Sequence, residues 1–258
     1  MTNRPAIPSR VKRKIRQRCG FGCVICGLPI YEYDHMPGFA NVKRHRANEI
    51  TLLCRQHHGM KTNGLITEDQ VKDANRNPFN LQSGSSSPLS LMFNGDSPEI
   101  ILGEQTFTCD DGRRPAVMVP VMIDRQVPFG FTLDTNGLLL NLDARNSKNQ
   151  PVLQIKESEL VVATSAWDAT MVGSKLSIWN EARDICLELE FQPPNRIVLQ
   201  KYDIKINGKS LGISPKGVVI KGQDVPAITL SGGGTVSANV GMLVGEHPRG
   251  LSVGIKVG

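Results

Sequence analysis

CVICGLPIYEYDHMPGFANVKRHRANEITLLCRQHHGMKTNG, residues 23–64, decides how the front of this chain folds. Cys23 and Cys26 form a Cys-x2-Cys pair, and Gly27 follows where the chain has to turn tightly. Cys54 and His57 repeat the same spacing. Three thiolates and one imidazole make a closed tetrahedral set of the kind that holds a structural Zn2+. One such pair is weak evidence; two with equal spacing in a basic segment are strong. A zinc ion here would organise a segment of about 60 residues with too few apolar side chains to fold well alone. Cys19 is close by, but its spacing to Cys23 suits a ligand pair less well. Cys109 and Cys186 read as core strand residues.

The rest of the chain is different in kind. Of 258 residues 40% are apolar and 21% charged, the composition of a soluble globular chain with material for a core. The net charge of +6 is concentrated at the front: residues 1–80 carry 14 Lys/Arg against 6 Asp/Glu, and residues 81–258 carry 16 against 18. This asymmetry predicts a polyanion-binding domain joined to one with another task. No apolar run reaches the roughly 18 residues of a membrane span. The basic N-terminus lacks the apolar stretch of a secretory signal. The expectation is a cytoplasmic protein with no membrane partner, whose cysteines are free or metal-bound.

Residues 9–18 (SRVKRKIRQR) predict a short helix with Ser9 as its cap and Val11 against Ile15. Arg10, Lys12, Arg13, Lys14, Arg16 and Arg18 would coat it, either as a solvated face or as an arm contacting phosphates; the neighbouring metal segment favours the arm. A strand is expected over Pro29–Tyr33. Residues 67–75 predict a helix capped by Thr67 and ended by Asn77-Pro78. Residues 81–88 read as a flexible Ser/Gly-rich linker. Beyond them short runs rich in Val, Ile, Leu and Phe alternate with polar residues: Leu187, Leu189 and Phe191 share one face, Glu188 and Glu190 the other. Asn-Gly, Asp-Gly and Pro-Pro breaks separate the runs. The predicted fold is therefore α+β: a domain over 1–80, a linker, and an all-β domain over 89–258, either a sandwich or a β-solenoid. The glycine-rich tail from Ser231 reads as an edge ribbon or an assembly segment. Trp167-Asp168, Trp179 and Phe191–Asn195 read more readily as core and turn residues than as partner sites.

Asp34-His35 stands between the two ligand pairs, and Leu52-Leu53-Cys54, His57-His58 and Lys61 follow. In this order the motifs over about residues 19–64 resemble the HNH family of metal-dependent nucleases. The resemblance implies a small ββα-metal domain with a treble-clef-like zinc, a strand bearing His35, and hydrolysis of DNA with low sequence specificity. His35 would be the general base, since imidazole titrates near neutral pH. Asp34 and His58 would hold a catalytic Mg2+ or Mn2+. His57 and His58 are adjacent, but successive helical residues point about 100° apart, so one can face the zinc and the other a groove. Lys61 would share the face of His58 and contact phosphate. One position departs from the family. Its middle Asn lies five residues before the Cys of Leu-Leu-Cys, where this chain has Glu49, with Asn48 one residue earlier. Either Asn48 fills the role through a shift, or Glu49 does, or the orienting group is lost. His45 is a further polar group for the site, and its neighbours Lys43, Arg44 and Arg46 would touch the DNA backbone. Two other readings stand beside the nuclease: a zinc-dependent nucleic-acid-binding module without catalysis, and an assembly protein carrying a nuclease head. The β domain would then oligomerise, dock a protein partner or sense a ligand. Control of a defence or restriction nuclease by that domain rests on analogy.

Overall fold

Apolar residues one turn apart make the first helix. Ser9–Cys19 (α1) buries Ile15 and Cys19 and leaves Arg10 and Lys14 exposed. Its N-cap is Pro8 and not Ser9, and Gly20 ends it at φ 67, a left-handed position that a side chain would strain. Glu32–His35 (β1) and Ile50–Leu53 (β2) pair antiparallel, with His35 opposite Ile50. The strand thus begins within the expected Pro29–Tyr33 run, at Glu32, and extends past it to carry Asp34 and His35 itself. The short helix Phe39–Val42 (α2) and a 3-10 turn at Ala47–Glu49 lie between the strands. Arg55–Thr62 (α3) starts directly after Cys54. Glu68–Arg76 (α4) opens on a capping box in which Thr67 and Gln70 bond reciprocally. Phe79–Ser83 (α5) follows. Ile15, Val24, Ile50, Leu52, Leu53 and Val71 form a small core among these elements.

This computed structural model describes residues 5–109, 116–134, 137–223, 227–245 and 250–257. It divides into two units, Met1–Leu89 with Val161–Thr170, and Ser90–Leu160 with Met171–Gly258. The stretch expected to be a flexible linker is built into the first unit by its serines. Ser86 exchanges two hydrogen bonds with Val162 (2.8 and 2.9 Å), Thr164 N donates to Gly84 O (3.0 Å), and the Ser87 hydroxyl donates to Cys26 O (2.6 Å). Serine hydroxyls that bond to main chain give such a stretch order its composition does not suggest.

The second unit is made of strands. Val253–Val257, Val240–Val244, Ala116–Ile123, Phe129–Asp134, Gly137–Arg145 and Pro151–Lys156 are neighbours in one sheet. Lys175–Glu181, Asp184–Gln192, Arg196–Ile206, Lys209–Ser214, Gly217–Lys221 and Ile228–Leu230 are neighbours in another. Alternation decides which face is buried: Leu138, Leu140, Leu142 and Ala144 are inside, as are Leu187, Leu189 and Phe191. The two sheets meet at Tyr202, fully buried, whose ring lies edge-on to Phe129 at 5.3 Å and whose hydroxyl donates to Asp143 O at 2.5 Å. In the glycine-rich tail, Val240–Val244 is buried throughout, between Ala116–Ile123 and Val253–Val257. The Asp111-Gly112 break and part of that tail lie outside the described residues. The chain is mixed α+β with strands predominating. No helix among the described residues is long and apolar enough to cross a membrane.

Candidate functional site

Cys23, Cys26, Cys54 and His57 each bring one ligand atom to within 4.8 Å of the others, the one such group of three or more among the described residues. The Sγ atoms of Cys26 and Cys54 are 3.8 Å apart, and His57 Nδ1 is 3.5 Å from Cys23 Sγ and 3.2 Å from Cys54 Sγ. A tetrahedral ion with bonds of about 2.3 Å to sulfur and 2.0 Å to nitrogen has edges of about 3.8 and 3.5 Å. The four donors fit a structural metal ion such as zinc in number, chemistry and spacing. A hydrogen bond from Cys26, opposed by burial, holds the Cys23 thiol down at about 4, and the same contact pushes Cys26 up. Cys19 stands apart beside Thr51 and Asn75, its thiol pushed up by burial.

The knuckle owes its shape to a residue the sequence did not single out. Asn80, fully buried, donates to Gly20 O at 2.7 Å. A Cβ at Gly20, Gly22 or Gly27 would come within 2.8, 2.5 and 2.4 Å of Asn80. Glycine stands at all three positions where the one Asn80 side chain leaves no room for a Cβ. No metal spacing or periodicity marks Asn80.

The second cluster stands where β1 faces α3. Asp34, His35, His58 and Lys61, with Phe39 and Thr62, line a cavity of about 310 Å³. Helical geometry separates the adjacent histidines as expected: His57 turns to the thiolates, and His58 Nε2 lies 3.5 Å from Asp34 Oδ1. One turn on, the Lys61 ammonium donates to Asp34 Oδ2 at 2.5 Å and to His35 O at 2.9 Å. That lysine therefore steadies the carboxylate and its strand in this structure, a task the phosphate reading did not include.

His35 Nε2 is 3.1 Å from His45 Nδ1, and His45 Nε2 is 2.7 Å from Pro5 O. A carbonyl only accepts, so His45 carries its proton on Nε2. In neutral His45 the Nδ1 then accepts, and His35 donates from Nε2. Neutral His35 is left with its lone pair on Nδ1. Phe39 stacks on His45 at 5.3 Å and meets His35 edge-on at 5.1 Å. Asn48 is exposed on the 3-10 turn. Glu49 takes the Arg44 guanidinium, Nη2 at 2.5 Å and Nε at 3.1 Å, and that bond holds its carboxyl below the usual range.

No family model, curated protein or solved structure matches the chain.

The basic residues expected on the arm divide in two. Arg16 is 7% exposed and Asp168 1%. Arg16 donates to Asp168 from Nε (2.8 Å) and Nη2 (2.5 Å), and to Tyr33 from Nη1 (2.8 Å). Burial opposes its charge, yet these partners leave its pKa raised. Arg18 donates to Ala47 O, Ile50 O and Asn75. These two are structural cations and not phosphate contacts, because the face of α1 that carries Ile15 and Cys19 carries them inward as well. Arg13 reaches Asp168 at 3.2 Å and lies 4.5 Å over the Trp167 ring. Lys12 lies 5.5 Å over Tyr33. Arg10, Lys14, Lys43 and Arg46 are exposed.

Proposed function

We propose that this chain is a metal-dependent HNH-type nuclease that hydrolyses DNA with low sequence specificity at the Asp34–His35–His58 cavity. The observation that carries the reading is the hydrogen-bond chain from His35 through His45 to Pro5. It fixes a ring tautomer with a basic Nδ1 in a residue that lines the same cavity as a carboxylate–imidazole pair. His35 Nδ1 takes the proton of the attacking water. Asp34 and His58, 3.5 Å apart, are close to the roughly 3 Å edge of an octahedral site with 2.1 Å bonds. A Mg2+ or Mn2+ ion held there would stabilise charge on the phosphate and the leaving oxygen. Arg10, Lys14, Lys43 and Arg46 supply backbone contacts, which hold DNA without reading its sequence.

The test is nicking of supercoiled plasmid with Mg2+, Mn2+ or Ni2+ by the parent, His35→Ala and His58→Ala. His35→Ala keeps its zinc and its melting temperature and loses cleavage by about 100-fold or more. A parent that cleaves with none of the three metals ends the proposal. One observation favours a binding module without catalysis: the Lys61 ammonium already occupies Asp34 Oδ2. Plasmid retarded on a gel but never nicked is the result that reading requires.

A further inference from the structure

A larger cavity, about 960 Å³, opens on the second unit over the strands Arg196–Ile206, Lys209–Ser214 and Gly217–Lys221. Pairing register sets Lys205, Ser210 and Lys221 in one row across the three strands, and Asp203, Gly212 and Val219 in the next. These residues are exposed or half-exposed, while Ile206, Leu211, Ile213, Val218 and Ile220 on the opposite face are buried. Strands about 4.8 Å apart put the two lysine positions about 10 Å apart, with only small residues between them. The turn at 145–149 supplies more of the lining and is held in shape. Asn146 Oδ1 accepts from Lys148 N and Gln150 N, both at 3.0 Å, and Ser147 N donates to Asn180 Oδ1 at 3.1 Å. A second cavity of about 330 Å³ is lined in part by the same Arg145, Asn149 and Lys205.

The charge of this trough is one-sided. Lys148, Lys205 and Lys221 have no ion-pair partner among the described residues, and Arg145 reaches Asp143 at 2.8 Å. The one carboxylate in the lining, Asp203, is 2.6 Å from Lys201. Residues 81–258 carry more acids than bases, so the cluster is not a sample of a generally basic surface. Like charges held around a concave surface raise the local concentration of anions. The volume is at the upper end of the roughly 300–1,000 Å³ of small-molecule sites, far more than one phosphate fills.

We infer that this trough binds a phosphate-bearing small molecule of the nucleotide class. The lysine ammoniums take the phosphates, and the carboxamides of Asn149 and Asn207 face the polar edges of base or sugar. Calorimetry on the full chain, without added divalent cations, tests this with ATP, adenosine and inorganic triphosphate. ATP binds, triphosphate binds more weakly, and adenosine does not bind. K205E/K221E lowers ATP affinity at least tenfold, K205R/K221R retains it, and K216E/K256E, which alters lysines outside the lining, leaves it unchanged. K205A/K221A replaces the charge reversal if that variant melts early. The inference is overturned by absence of ATP binding at millimolar concentration, or by triphosphate binding as tightly as ATP. An unaffected K205E/K221E, or equal loss in K216E/K256E, overturns it too.

Discussion

Replacing Asp168 by Asn removes one charge, keeps the side-chain shape, and leaves Arg16 in place with its cation buried. The carboxylate accepts two bonds from Arg16 and one from Arg13. The amide has one acceptor oxygen and no charge to offer. Removing one partner of a buried ion pair costs about 3–5 kcal/mol, because the remaining charge keeps its desolvation penalty. For a unit of about 100 residues, a urea m-value of about 1–1.5 kcal/mol/M turns this into a midpoint lower by about 2–5 M. Trp167 reports the transition, since Arg13 lies over its ring; Trp179, the other of the chain's two tryptophans, is first changed to Phe. A midpoint that falls by less than about 0.5 M would refute the reasoning. Arg16→Met/Asp168→Leu, which removes both charges, is expected to recover most of the loss.

Cys54→Ser is expected to abolish metal binding at the Cys23, Cys26, Cys54 and His57 group and to unfold the first unit, since a structural zinc contributes on the order of 10 kcal/mol to folding; a variant that still holds one Zn2+ per chain by elemental analysis contradicts this. His45→Ala should shift His35 from the Nε2-protonated tautomer to a mixture in long-range 1H–15N spectra at alkaline pH, and lower cleavage by about 10–100-fold. An unchanged His35 spectrum counts against the relay. Gly217→Ala should destabilise the second unit by about 3 kcal/mol or more. Gly217 has φ 123, and a Cβ there would stand 1.9 Å from Leu230 O. Denaturation followed by Trp179 fluorescence in a Trp167→Phe background measures the loss.

The features legible in the sequence are those that short-range geometry writes there. Two residues between ligands let a turn present both to one ion, so the Cys and His pairs could be read directly. Thr67 ahead of Glu68 and Asp69 announces a helix start, and the alternation at Leu187, Leu189 and Phe191 announces a strand with one wet face. The illegible features join distant residues. A helix with six cations reads as a solvated face or an arm for phosphates, and nothing near Arg16 shows that Asp168 awaits it. Asn80 looks like any polar residue until three glycines are found against it. Serines at 83–87 have the composition of a linker, but the hydroxyls of Ser83, Ser86 and Ser87 close hydrogen bonds to main chain. His45 reaches His35 because of how the loop between β1 and β2 is folded, which no periodicity encodes.

Arg16 and Asp168 are 152 residues apart in the chain. At about 5–20 residues per second, a ribosome takes roughly 8–30 s to travel that distance. The three thiols and the imidazole of the candidate metal site are made long before the acid that pairs with Arg16. A nascent chain stopped short of Asp168 would own the complete metal clamp and an unquenched cation beside it, a state that translation passes through every time the protein is made.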